Sequence, residues 1–226
     1  MAEGRENVVA LQPQFGGPQL RVVEPGKGPL SEWSNEALML EHGAGSEAAY
    51  TELIRRHQKS VLNYMFRMVH NRHVAEELTQ EVFLALVKNA SRYQPMAKFT
   101  TYLYAIASNI VSKEWAKQKR RPKFFSLTGW FGNDEEDEFS LLDQVADESA
   151  CVTAAFQRGE VSEAVNAALR HLPEHQREAF VLRRFQDLSY EEIADILDVP
   201  VGTAKSRVVR AERALRPYLQ KYREYL

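Results

Sequence analysis

Apolar residues recur at three-to-four spacing along two long stretches of this chain, from about Asn35 to Arg121 and again from Glu160 onward. No stretch alternates convincingly as a strand does, so the fold must be built from helices packed on helices. In the first stretch, Tyr50, Leu53, Ile54, His57, Val61, Tyr64 and Met68 predict a helix over Glu47 to Val69. Val74, Leu78, Val82, Ala85 and Leu86 predict a second, from about Val74 to Asn89. Leu103, Ile106, Ala107 and Ile110 predict a third, from about Thr101 to Lys119, ended by Pro122. The second stretch divides into Val161 to Leu172, Pro173 to Arg184, Ser189 to Leu197 and Gly202 to Tyr218. The expected fold class is all-α: two small helical domains, residues 35–121 and 159–226, joined by a flexible acidic linker over 122–158. Residues 1–34, rich in Gly, Pro and Gln, read as a flexible extension.

The net charge is only −2, but the charge is segregated. Seven basic residues against Glu114 alone lie between Lys98 and Lys123, and seven against Glu212 alone lie between Val201 and Arg223. Between these segments runs an acidic stretch centred on Asp134, Glu135, Glu136, Asp137 and Glu138. Two basic segments around an acidic connector suggest two polyanion-binding modules whose average hides both. Solvated helix faces would give the same counts, so the surrounding pattern has to decide. Cys151 is the only cysteine, which excludes an internal disulfide or a cysteine-based zinc finger and fits a reducing cytoplasm. No apolar run reaches the roughly 18 residues of a membrane span, and the N-terminus lacks the pattern of a secretory signal.

The pattern is clearest near the C-terminus. Ser189 and Glu192 have the spacing of a capping box. Ile193, Ala194 and Leu197 follow, then a turn at Asp198-Val199-Pro200. The next helix turns Ala204, Val208, Ala211 and Leu215 inward, and its opposite face carries Lys205, Ser206, Val209, Arg210 and Arg213. Two short helices with one-sided basic charge on the second are a helix-turn-helix suited to a major groove, where Lys or Arg reads guanine and an apolar group meets the thymine methyl.

Longer segments resemble a known family. Leu172-Pro173-Glu174-His175-Gln176-Arg177-Glu178-Ala179-Phe180, Leu188-Ser189-Tyr190-Glu191-Glu192-Ile193-Ala194 and Val201-Gly202-Thr203-Ala204-Lys205-Ser206-Arg207 resemble the C-terminal domain of bacterial sigma factors, with the extracytoplasmic-function (ECF) subfamily as the nearest kind. In the N-terminal half, Ala75-Glu76-Glu77-Leu78-Thr79-Gln80-Glu81-Val82-Phe83-Leu84 resembles the family's polymerase-docking helix. Phe99-Thr100-Thr101-Tyr102-Leu103-Tyr104-Ala105-Ile106-Ala107-Ser108-Asn109 resembles its minus-10 and promoter-melting segment.

The resemblance implies a protein that binds core RNA polymerase, directs it to promoters and assists opening of the duplex, with no catalysis and no cofactor of its own. It implies Glu77, Gln80, Glu81 and Leu84 as the surface for the coiled coil of the polymerase's largest subunit, and the polymerase flap as a further contact. Tyr102 and Asn109 are implied at the opened minus-10 element, with Lys98, Lys113, Lys117, Arg120 and Arg121 on phosphate. Lys205, Ser206, Val209 and Arg210 are implied on the minus-35 element, with Arg207 on phosphate. It also implies an anti-sigma factor as partner and a linker that threads the polymerase, its acidic run mimicking nucleic acid; a plain solvated spacer explains that run equally well.

Other readings of the residues compete with this one. His171-Leu172-Pro173-Glu174-His175 matches a zinc-peptidase spacing, but Pro173 is placed to start a helix between the histidines and prevents them from sharing one face. His70 and His73, and Cys151 as a redox switch, are weaker still. The stronger rival is a dimeric helix-turn-helix regulator with an N-terminal sensing bundle. A docking helix followed by an aromatic, basic helix has no use in such a repressor.

Overall fold

The computed structural model describes residues 28–120 and 152–220, and every regular element among them is helical. The order is α1 (Asn35–Gly43), α2 (Glu47–Val69), α3 (Arg72–Asn89), α4 (Phe99–Arg120), α5 (Val152–Leu169), α6 (Glu174–Phe185), α7 (Tyr190–Leu197) and α8 (Val201–Leu219). Short 3-10 turns occupy Leu30–Glu32 and Ala90–Arg92. Arg121, the Asp134–Glu138 run and Cys151 lie outside the described residues.

In the N-terminal half, α2 is the central helix and packs against α1, α3 and α4. Its ends follow from local chemistry. The Ser46 hydroxyl accepts from the Ala49 amide at the start. At the end, His70 takes the left-handed conformation at φ 55°, and its amide donates to the Phe66 carbonyl. Asn71 then caps α3 by accepting from the Val74 amide at 3.0 Å, so a two-residue turn reverses the chain. Gly43 lets α1 approach the chain after α3: a Cβ there would lie 2.7 Å from the Ala90 carbonyl oxygen. The N-terminus of α4 is capped from α1, where the Glu36 carboxylate accepts from the Phe99 amide at 2.7 Å and meets the positive end of the helix dipole.

Two sequence expectations need correction. The last part of the expected extension is structured: Leu30–Glu32 forms its turn because the Arg56 guanidinium donates to the carbonyls of Leu30, Ser31 and Trp33 and to Asn35 Oδ1. The end of the expected 122–158 spacer is helical, since α5 begins at Val152. That segment has no amphipathic stripe to betray it, but Ala154 and Ala155 favour helix by intrinsic propensity.

In the C-terminal half, α6 and α7 both pack on α8, and α5 covers α8 from another side. Ala204, Val208, Ala211 and Leu215 are the buried stripe of α8, as expected. The capping box is present in both directions: the Glu192 amide donates to the Ser189 hydroxyl at 3.1 Å, and the Ser189 amide donates to Glu192 Oε2 at 2.7 Å. Asp198 turns the chain in the left-handed region at φ 49°, and Pro200 precedes α8.

The halves pack on each other, α2 against α6 and α4 against α7. This explains why α4 is buried on more than its predicted stripe. Leu103 and Ala107 face the N-terminal core as expected, but Thr101, Tyr104, Ser108 and Trp115 are buried as well. The His70 imidazole lies near this seam; burial, then the charges of Arg177 and Arg170, depress its pKa to about 3.

Candidate nucleic-acid and docking surfaces

Helix α3 turns Leu78, Val82, Phe83 and Leu86 into the core, which leaves its other side open. Glu77, Gln80, Glu81 and Leu84 are all exposed there, at the spacing that places them on one face. Leu84 is 57% exposed. Val87, three residues further on, is also exposed and enlarges the apolar spot; an apolar residue at i+3 from Leu84 was the sequence signal for it.

On α4, Tyr102, Asn109, Lys113, Lys117 and Arg120 fall at steps of three, four or seven residues and therefore share one stripe. The three cations are exposed. Tyr102 is half-buried, its ring 5.1 Å from that of Tyr93, and burial raises its hydroxyl pKa. Asn109 is half-buried and donates its amide to the Ala105 carbonyl at 2.8 Å, which leaves its Oδ1 for an incoming donor. Lys98 stands apart, at the head of the helix, where its ammonium pairs with Glu192 Oε1 of α7 at 3.1 Å.

On α8 the outward face carries Lys205, Val209 and Arg210, all exposed, with Arg213 one turn beyond. Ser206 is half-buried and donates its hydroxyl to the Thr203 carbonyl at 2.9 Å, so toward a ligand it offers only acceptor lone pairs. Arg207 is set apart from this face: it is half-buried, and its charge acts on the Glu178 carboxyl of α6. His171, from the rejected zinc spacing, precedes Pro173 and stacks on Tyr218 with ring centroids 4.6 Å apart. His175 lies beyond that proline, in the first turn of α6.

The reading from sequence missed the role of Arg177 and Glu178. Arg177 is 8% exposed; its guanidinium donates to the Met68 carbonyl at 2.7 Å and to the Leu172 carbonyl at 3.1 Å. It thereby satisfies the C-terminal end of α2 from the other half of the molecule. Glu178 is 4% exposed and accepts from the Tyr64 hydroxyl of α2 at 2.9 Å. Burial raises its pKa, against the lowering effect of hydrogen bonds from Ser108 and Tyr64.

Comparison with known proteins covers both halves. Residues 53–121 match the family model "Sigma-70 region 2", and residues 162–215 match "Sigma-70, region 4". The chain is 30% identical over 191 residues to the RNA polymerase sigma-H factor of Pseudomonas aeruginosa, covering 84% of this chain and 96% of that one. It is 30% identical over 178 residues to the ECF RNA polymerase sigma factor SigW of Bacillus subtilis, covering 78% and 91%. Among solved structures, CnrH in complex with the cytosolic domain of CnrY shares the fold, with a TM-score of 0.57 at 18% identity, covering 81% of this chain and 96% of that one. An exposed face of acidic, amide and apolar residues on α3, a basic stripe on α4 and an outward helix-turn-helix thus occur in a chain whose relatives match along nearly their whole length, and the chain belongs to the sigma-70 family as a sigma factor of the ECF type.

Proposed function

We propose that this sigma factor holds core RNA polymerase through α3, reads and helps to open the minus-10 element with α4, and reads the minus-35 element with α8. Residues 35–121 act as the region-two domain and residues 159–226 as the region-four domain. The observation that carries the reading is the exposed apolar spot of Leu84 and Val87, rimmed by Glu77, Gln80 and Glu81, on a helix whose other side is core. Acidic and amide groups around a leucine suit a basic, partly apolar partner surface, such as a coiled coil of the polymerase's largest subunit. The polymerase flap and promoter DNA are the further partners, and transcription in the cytoplasm is the setting.

Once strands separate, Tyr102 supplies a ring on which an unpaired base stacks and Asn109 an acceptor for a base edge, while Lys98, Lys113, Lys117, Arg120 and Arg121 hold phosphate. On α8, Lys205 and Arg210 reach base edges, Val209 meets a thymine methyl, and Ser206 and Arg207 complete the contact; each good base contact is worth about 1–3 kcal/mol of discrimination. The polymerase performs the chemistry, and this chain positions it. An anti-sigma factor is the expected antagonist, since a solved relative of this fold, RpoE of Bartonella quintana, is complexed with the anti-sigma factor NepR. Run-off transcription by core enzyme on a library of genomic promoters, with and without this chain, is the test. Promoter-selective transcripts that appear only with the chain support the reading; nanomolar sequence-specific duplex binding by the free chain, without any effect on core enzyme, refutes it.

A further inference from the structure

Two of the groups that face the minus-10 element stand where a helix is weakest. Lys98 immediately precedes α4, and Tyr102 is the fourth residue of that helix. Helix ends open before helix centres do, and the first amides of a helix have no partner within it. The Lys98 side chain offers no acceptor for them, and its charge opposes the positive end of the helix dipole. The acceptor comes instead from α1, 63 residues earlier in the chain: Glu36 Oε1 takes the Phe99 amide at 2.7 Å.

The same turn is held from other directions. Phe99 is fully buried, with its ring 5.2 Å from that of His57 on α2. Tyr93, buried in the loop before α4, lies edge-on to Phe99 at 6.5 Å and 5.1 Å from Tyr102. Glu36 faces Tyr93 too: burial, then the Glu36 charge, raises the pKa of the Tyr93 hydroxyl. At its other end α1 meets the Ala90 carbonyl at Gly43, where the same loop begins. Helix α1 therefore supports both ends of the segment that delivers Lys98 and Tyr102.

We propose that Glu36 is a positioning residue for promoter opening: its bond to the Phe99 amide fixes the first turn of α4, so that Tyr102 offers its ring to an unpaired base and Lys98 its ammonium to phosphate. This role rests on the reading of α4 as the minus-10 helix. Glu36 acts through the Phe99 amide and lies on α1, apart from the stripe of Tyr102, Asn109, Lys113, Lys117 and Arg120. Donor and acceptor both belong to the N-terminal half, so the support does not depend on α7. A base stacks on Tyr102 only in the fraction of chains whose first turn is seated, and affinity for the opened strand falls with that fraction. The exposed face of α3 takes no part, so capture of core enzyme is independent of the bond.

The test uses the full chain with core enzyme on a promoter recovered from the run-off library, with 2-aminopurine in the minus-10 element to report opening. Glu36→Ala should lower the equilibrium constant for opening about fivefold, the scale of a lost helix cap, while core-enzyme capture stays within twofold of wild type. Glu36→Gln, whose amide oxygen still accepts from Phe99, should open the promoter within twofold of wild type. In a chain carrying Lys98→Ala and Tyr102→Ala, Glu36→Ala should add less than twofold, because the groups through which it acts are gone. A purely structural role predicts the reverse: an equal loss in both backgrounds, with a melting temperature several degrees lower and impaired capture of core enzyme. That pattern, wild-type opening by Glu36→Ala, or a Gln variant as defective as the Ala variant overturns the proposal. Wild-type opening by the chain with Lys98→Ala and Tyr102→Ala overturns the reading of α4 itself, and the role of Glu36 with it.

Discussion

Replacing Leu84 with alanine separates a docking residue from a packing one, because α3 supplies a matched control six residues earlier. Full burial of a leucine side chain is worth about 1.5–3 kcal/mol. Leu84 has 57% of its surface open in the free chain, so its capture by a partner is worth about 1–1.5 kcal/mol. Leu84→Ala should then weaken binding to core enzyme about five- to thirteenfold. The free chain should melt within about 1 °C of wild type, because no cavity forms and alanine favours helix by a few tenths of a kcal/mol. Leu78, 5% exposed on the inner side of the same helix, should behave oppositely: Leu78→Ala costs about 2–5 kcal/mol of stability and alters docking only through loss of folded protein. Fluorescence titration of labelled chain with core enzyme, alongside thermal melts, measures both. A Leu84→Ala variant that binds core enzyme within twofold of wild type, or that melts several degrees lower, refutes the assignment of this face.

Four further outcomes are expected. Ser189→Ala removes the acceptor for the Glu192 amide and should cost about 1 kcal/mol in denaturant unfolding; no loss would mean the box is idle. His70 is held neutral, its pKa depressed from 6.5 to about 3. The unfolded chain therefore takes up a proton that the folded chain refuses, and this contribution is complete above pH 6.5 and declines as pH falls toward 3. His70→Asn, which tolerates the left-handed backbone, should reduce the loss of stability between pH 7.5 and pH 5 by about 1 kcal/mol after allowance for partial exposure; identical pH profiles would contradict this. On promoter DNA in the presence of core enzyme, Arg210→Ala should relax selectivity at one minus-35 position by about 1–3 kcal/mol. Lys117→Ala should instead weaken all sequences alike and lower the salt slope by about one, and a reversal of these two signatures would show that the contacts are misassigned.

Some of this molecule is written locally, and there the sequence suffices. The capping box at Ser189 and Glu192, the turn at Asp198 and Pro200, and the inward stripe of α8 depend on neighbours within a few residues, so spacing reveals them. Glu77, Gln80, Glu81 and Leu84 are equally legible, because a helix with one apolar face must present the other. The start of α5 is not legible in the same way, since intrinsic propensity without an amphipathic stripe leaves little periodicity to read. What only the tertiary structure decided is the company these faces keep. Arg177 and Glu178 stand in a family-like segment as ordinary polar residues, and nothing near them in the chain says that Met68 and Tyr64, 109 and 114 residues away, will satisfy them. Lys98 has the look of a free phosphate ligand until α7 is seated beside it and supplies Glu192. Periodicity reports that a face is buried or open, but a hydrogen bond between distant helices depends on how those helices dock, and that geometry is a property of the assembled fold.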